Sequence, residues 1–137
     1  AWLAGAATPE AEARLIRAWD GVRYGIPSAD PAAPGFERRR YWRGPAWPVV
    51  NALVAIGLRD AGRHALAERL RRETAALIRA GGFNEYFDPI DGAPCGGRNF
   101  TWTAAVWLAW AGRDEGEAGG WGRSSCAPRK NGSATTR

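Results

Sequence analysis

Trp47–Gly82, WPVVNALVAIGLRDAGRHALAERLRRETAALIRAGG, reads as two consecutive helices of opposite character. From Trp47 to Ala61, Val49, Val50, Leu53, Val54, Ile56 and Leu58 crowd almost all the way round a helical wheel, which predicts deep burial. Gly62 ends that helix. From Arg63 to Ala80, the apolar Leu66, Leu70, Ala75, Leu77 and Ile78 share one side and the charges take the other, until Gly81-Gly82 stops the turn. An inner apolar helix followed by an outer amphipathic one makes an αα-hairpin.

The flanks fit the same architecture. Thr8-Pro9-Glu10 has the form of a helix start, with a capping hydroxyl, proline at the first helical position and an acid in the first turn. That helix is predicted to run to about Trp19, with Ala11, Leu15, Ile16 and Trp19 on its apolar face. Gly21–Arg40 is rich in proline and glycine and reads as a long irregular loop, a length that in compact domains usually carries function. Phe83–Asn99 reads as a second loop, with turn chemistry at Asp88-Pro89 and Asp91-Gly92. Thr101 is expected to cap a last helix, Trp102 to about Ala111, which is apolar nearly all round. No strand pattern of any length is visible, so the fold class expected is all-α. Residues 1–110 are expected to form the folded portion. The stretch 111–137 contains no aliphatic side chain larger than alanine and is expected to be a disordered tail, either a linker or the product of an altered reading frame. With no methionine anywhere, the chain is expected to be an internal or C-terminal piece of something longer, unless a leader was removed.

Composition narrows the function classes. The formal net charge is +5, but the arginines alternate with acids, as in Glu68, Arg69, Arg71, Arg72 and Glu73. Only Arg38, Arg39 and Arg40 form a run, so no nucleic-acid partner is expected. No apolar run approaches the ~20 residues that span a bilayer, and no membrane partner is expected. The two cysteines, Cys95 and Cys126, have no CxxC or histidine spacing, and His64 is the sole histidine. Neither a metal site nor a Ser/His triad is indicated, and no cofactor is expected. A cytoplasmic location is the default.

What remains is aromatic. YWRGPAW at Tyr41–Trp47 and FNEYFDP at Phe83–Pro89 place tyrosine, tryptophan, arginine and the carboxylate of Glu85 in rings-rich company. Aromatic faces cover the C–H faces of a pyranose, arginine donates to hydroxyls, and a carboxylate in such a setting does acid or base work.

Five ordered motifs carry a resemblance: YGIPSADP (Tyr24–Pro31), YWRGPAWPVVN (Tyr41–Asn51), GL (Gly57-Leu58), FNEYFDPIDG (Phe83–Gly92) and FTWTAA (Phe100–Ala105). Together they resemble the C-terminal part of the catalytic domain of glycoside hydrolase family 63 and of the related bacterial mannosylglycerate and glucosylglycerate hydrolases. The resemblance implies the last third of an (α/α)6 barrel and an inverting α-glycosidase acting on a small α-glucoside, α-mannoside or oligosaccharide. It makes Glu85 the general base that activates water. It sets Trp42 and Trp47 on the sugar subsites, flanked by Tyr41 and Arg43, with Asn84, Tyr86 and Trp102 as further walls. It also implies that the general acid, an aspartate, lies on an earlier part of the domain, since Asp20, Asp30, Asp60, Asp88 and Asp91 stand outside that motif. The isolated chain is therefore expected to be inactive and to self-associate. The alternatives are core packing for the two tryptophans, a surface loop position for Glu85, and a non-catalytic sugar-binding or structural helical module for the whole.

Overall fold

The computed structural model describes residues 8–113. Helix α1 spans Pro9–Asp20, α2 Pro48–Asp60 and α3 His64–Gly81; a hairpin of β1 (Asn84–Phe87) and β2 (Pro94–Arg98) follows. Helix α4 (Thr101–Val106) continues into a π-turn over Trp107–Ala111. The expected tail at 111–137 falls almost wholly outside the described residues. Among those residues, no helix is long and apolar enough to cross a membrane.

Helix α1 starts as its sequence dictates: the Thr8 side chain accepts from Ala11 N at 3.2 Å and Pro9 opens the first turn. Its end is buried through Trp19, which is completely inaccessible. The Trp19 indole donates to Glu73 Oε2 at 2.6 Å, and the Arg69 guanidinium lies over its ring, 4.2 Å from the centroid. One carboxylate on α3 thereby holds both α1 and the following loop, because Gly25 N also donates to Glu73 Oε2, at 2.8 Å.

The core lies between α2 and α3, where Ala55, Leu58, Leu70, Ala75, Leu77 and Ile78 are all buried. Each buried leucine or isoleucine there contributes about 1.5–3 kcal/mol of transfer free energy. Helix α2 departs from the expectation of all-round burial. Its α3-facing side is closed, but Leu53 is 44% exposed and Val49, Val50, Val54 and Ile56 are only partly covered by the described residues. An apolar surface all round a helix needs partners all round, and the described elements supply one side.

A buried polar knot fastens the long loop to this pair. Asn51 is fully buried on α2; its Oδ1 accepts from Ile26 N at 3.2 Å and its Nδ2 donates to Thr74 Oγ1 at 3.1 Å. Thr74 donates in turn to Leu70 O at 2.7 Å. Gly25 has φ +63 and packs so closely on Asn51 that a Cβ there would collide with Nδ2.

The reading of Phe83–Asn99 as a loop is corrected: it contains an antiparallel hairpin, with Asn84 opposite Arg98, Tyr86 opposite Cys95 and Phe87 opposite Pro94. The register shifts between Asn84 and Tyr86, where Gly96 adopts φ +74, as in a glycine β-bulge. The strands are too short, and PCGGR too poor in β-branched residues, to show a period of two. They pair with each other across the Asp88–Ala93 turn, and one residue of β1 also pairs at long range. Ala46 and Phe87 exchange both backbone hydrogen bonds at 2.9 Å, while Ala46 also bridges to Pro27.

Thr101 is likewise not a cap. Phe100 takes the N-cap position and its N–H donates to Phe83 O at 2.8 Å, closing the hairpin base. The useful hydroxyl is Thr103, which is buried and donates to Asn84 O at 2.7 Å.

Candidate active site

Two chain segments converge, one from the loop before α2 and one from β1. On the loop, Tyr41 takes φ +36, a left-handed backbone that a bulky residue adopts only when its surroundings enforce it. The enforcing contacts are visible: Trp47 Nε1 donates to Tyr41 O at 3.1 Å, and the Tyr41 ring stands edge-on to Trp47, with centroids 5.0 Å apart. Trp42 stacks on Trp47 at 4.1 Å with the planes 5° apart. From β1, Tyr86 joins the cluster, 4.8 Å from Trp47 and 5.7 Å from Tyr41. Trp47 is 3% exposed, whereas Tyr41 is 50% and Trp42 51% exposed. The buried indole is the floor and the other two rings are the open wall.

Glu85 precedes Tyr86 on β1 and is half-buried. Its Oε2 accepts from Gly97 N, in the irregular stretch of β2, at 3.1 Å. Among the described residues that is its one hydrogen bond, leaving Oε1 available to water or a ligand. Gly96 is required here as well as at the bulge, since a Cβ on it would come within 2.7 Å of both Glu85 Oε2 and the Tyr86 ring. Burial, followed by the nearby Cys95, Glu85 and Tyr41, pushes the Tyr86 hydroxyl above the usual tyrosine range, so it remains a neutral donor. Burial also pushes up the Cys95 thiol.

Tyr41, Trp42, Trp47 and Tyr86 thus form one cluster with Glu85 beside it. Arg43 turns elsewhere and pairs with Glu37 at 3.3 Å. Trp102 packs edge-on to Phe100 and is 59% exposed. A feature invisible in the motifs lies behind the cluster: Asp88, fully buried, receives Arg38 and Arg39 from the aromatic loop. The Asp-Pro-Ile-Asp-Gly turn suggested a bend; its use as an anchor depends on residues about fifty positions upstream. The arginine run is accordingly spent on carboxylates, with Arg40 on Glu37 at 3.2 Å.

The model of the Mannosylglycerate hydrolase MGH1-like glycoside hydrolase domain matches residues 1–103. The chain belongs to that family. Within it, the chain is 49% identical over 111 residues to mannosylglycerate hydrolase MGH1 of Selaginella moellendorffii, covering 78% of this chain and 23% of that protein. It is 52% identical over 89 residues to the mannosylglycerate hydrolase of Thermus thermophilus, covering 65% and 21%. A glucosylglycerate hydrolase of Mycolicibacterium hassiacum is 36% identical over 119 residues, covering 80% and 27%. Among solved structures, the family 63 mannosylglycerate hydrolase of Thermus thermophilus in complex with glucose superposes with a TM-score of 0.74 at 44% identity, over 78% of this chain and 27% of that one. The same enzyme in complex with Tris and D-glycerate gives 0.72. The MGH1-like segment therefore spans about a quarter of the length of its relatives, and its helices are part of the helical barrel domain of family 63.

Proposed function

We propose that this MGH1-like segment is the general-base portion of an inverting α-glycosidase acting on a small α-mannoside or α-glucoside. The observation that carries it is Glu85: a half-buried carboxylate pinned by one oxygen to Gly97 N, with the other oxygen free, on the residue next to Tyr86 of the aromatic cluster. A fixed acceptor next to rings that stack on a sugar is what a water-activating base needs.

In this reading Trp42 and Tyr41 stack against the pyranose and Tyr86 donates from a neutral hydroxyl. Glu85 Oε1 takes a proton from water as the water attacks the anomeric carbon from the face opposite the leaving oxygen. A second carboxyl group, outside this segment, protonates that oxygen. The two groups must stand roughly 6.5–9.5 Å apart to admit the water. The relatives named for mannosylglycerate and glucosylglycerate favour a substrate whose aglycone is a small acid.

The test is Glu85→Gln in the full-length protein carrying this segment. Turnover is expected to fall about 10²–10⁴-fold, the range of general-base contributions, with substrate binding retained. Retained turnover would overturn the assignment of the base. Proton NMR of the first product formed from an α-glycoside should show the β anomer.

A further inference from the structure

The aromatic loop closes tightly on itself: Glu37 N donates to Arg43 O at 2.7 Å, Arg40 N to Glu37 O at 2.9 Å and Arg43 N to Arg40 O at 2.7 Å. It is a preformed unit that must still be placed against the hairpin. Among the described residues, every side-chain polar bond from this loop to the hairpin passes through Arg38 and Arg39. Arg39 Nε donates to Asp88 Oδ2 at 2.8 Å, and Arg38 Nε forms an ion pair with the same oxygen at 3.1 Å. Arg39 Nη2 donates to Asp91 Oδ2 at 2.6 Å, and Arg38 Nη2 forms an ion pair with that oxygen at 3.3 Å.

A turn-stabilising role alone does not account for this arrangement. The turn is already served by Asp88 Oδ1, which accepts from Ile90 N at 2.9 Å and Asp91 N at 3.4 Å. Oδ2 is left wholly to the arginines. Asp88 is fully buried, while the Arg38 and Arg39 side chains are 43% and 52% exposed. The carboxylate is the fixed point and the guanidiniums are what the loop brings to it. Their fork geometry suits two acceptors side by side, and two forks share one pair of carboxylates.

We propose that Arg38 and Arg39 are redundant positioning residues, a double clamp that holds the Tyr41–Trp42 wall over the strand carrying Glu85. Asp88 lies three residues beyond Glu85, and Arg39 lies two before Tyr41. The clamp and the Tyr41–Tyr86 ring contact thus fix the two segments at neighbouring points. This rests on the reading of those segments as the sugar site.

Redundancy makes the test sharp. In the full-length protein, Arg38→Ala and Arg39→Ala singly should each change KM by no more than about twofold, because the other fork still satisfies Asp88. The double variant should raise KM about tenfold or more, with kcat changed far less, since the rings are displaced and the base is not. Arg38→Lys with Arg39→Lys, which keeps charge and loses the forks, should raise KM several-fold and covers the case in which the double alanine variant does not fold. Arg40→Ala is the unaffected control, since among the described residues the Arg40 side chain pairs only with Glu37.

Hydrogen exchange on the full-length protein carrying this segment gives a readout independent of catalysis. In the double variant, exchange should accelerate across residues 36–47 and stay unchanged across α2 and α3. An unchanged KM in the double variants, singles as damaging as the double, or exchange rising equally through α2 and α3 would each overturn the clamp. If Glu85→Gln retains turnover while the exchange result holds, the base assignment fails and the clamp stands.

Discussion

Trp42 lies flat on Trp47, with ring centroids 4.1 Å apart and the planes within 5°, yet one indole is buried and the other is half open. The two therefore differ in exposure as their places differ, Trp47 heading the buried helix and Trp42 in the loop before it. Trp47 supports, and Trp42 offers its free face.

The division predicts a split between stability and binding. Trp47→Ala should cost about 3–5 kcal/mol in urea unfolding, as expected for removing a buried tryptophan. Trp42→Ala should cost about 1–2 kcal/mol, the worth of its pairs with Trp47 and Tyr41, while raising KM in the full-length protein. Equal stability losses for the two variants would contradict the assignment of floor and wall.

Gly96→Ala should impair catalysis more than folding. The new methyl group would stand 2.7 Å from Glu85 Oε2 at a position with φ +74, so the carboxylate or the bulge must move. The expected signature is a fall in kcat larger than any rise in KM. Wild-type kcat in that variant would show that the Gly97 contact does not set the geometry of Glu85.

Asn51→Ala should destabilise by leaving the buried Ile26 N–H without an acceptor, at about 1–3 kcal/mol for the unsatisfied group. Exchange at Ile26 should accelerate. A variant as stable as wild type in chemical denaturation would mean that another acceptor takes over.

The pH dependence has opposite signs at the two ends. The Arg63 hydrogen bond holds Glu12 below the usual glutamate range, and the Ala93 amide with Arg39 and Arg38 does the same for Asp91. Folding favours their charged forms, so this contribution is present above about pH 4 and lost as pH falls through the lowered values. Asp91 is exposed and Glu12 is only partly covered, its partner Arg63 lying open to water, so the loss is small, and Arg63→Gln should remove the Glu12 share. Tyr86 runs the other way. Burial raises it, so folding resists its ionisation and stability falls once pH exceeds about 10. Ultraviolet titration should show a slow or late phenolate that Tyr86→Phe abolishes.

The chain by itself should bind a hydrophobic dye, associate in light scattering and show no glycosidase activity. Leu53 at 44%, Trp102 at 59% and Leu108 at 77% exposure leave apolar surface open among the described residues. A monodisperse chain that hydrolyses an α-glycoside would refute this expectation together with the need for a second carboxyl group.

Residue pattern alone determined the helical frame. Periodicity, a Thr-Pro cap and glycine stops place α1, α2 and α3 within a residue or two of where they fold, because helix formation is governed by neighbours three and four positions away. The ordered motifs were likewise enough to identify the family; that Tyr41, Trp42 and Trp47 gather in one aromatic cluster is a fact of the tertiary structure. Tertiary structure decided what joins them. The loop meets the hairpin where Ala46 pairs with Phe87 and where Arg38 and Arg39 reach Asp88 and Asp91. It also turned Arg43 toward Glu37 and separated a buried Trp47 from an open Trp42. Such contacts span up to about fifty residues. No local pattern encodes them, because their energy depends on which groups lose water together when the chain closes.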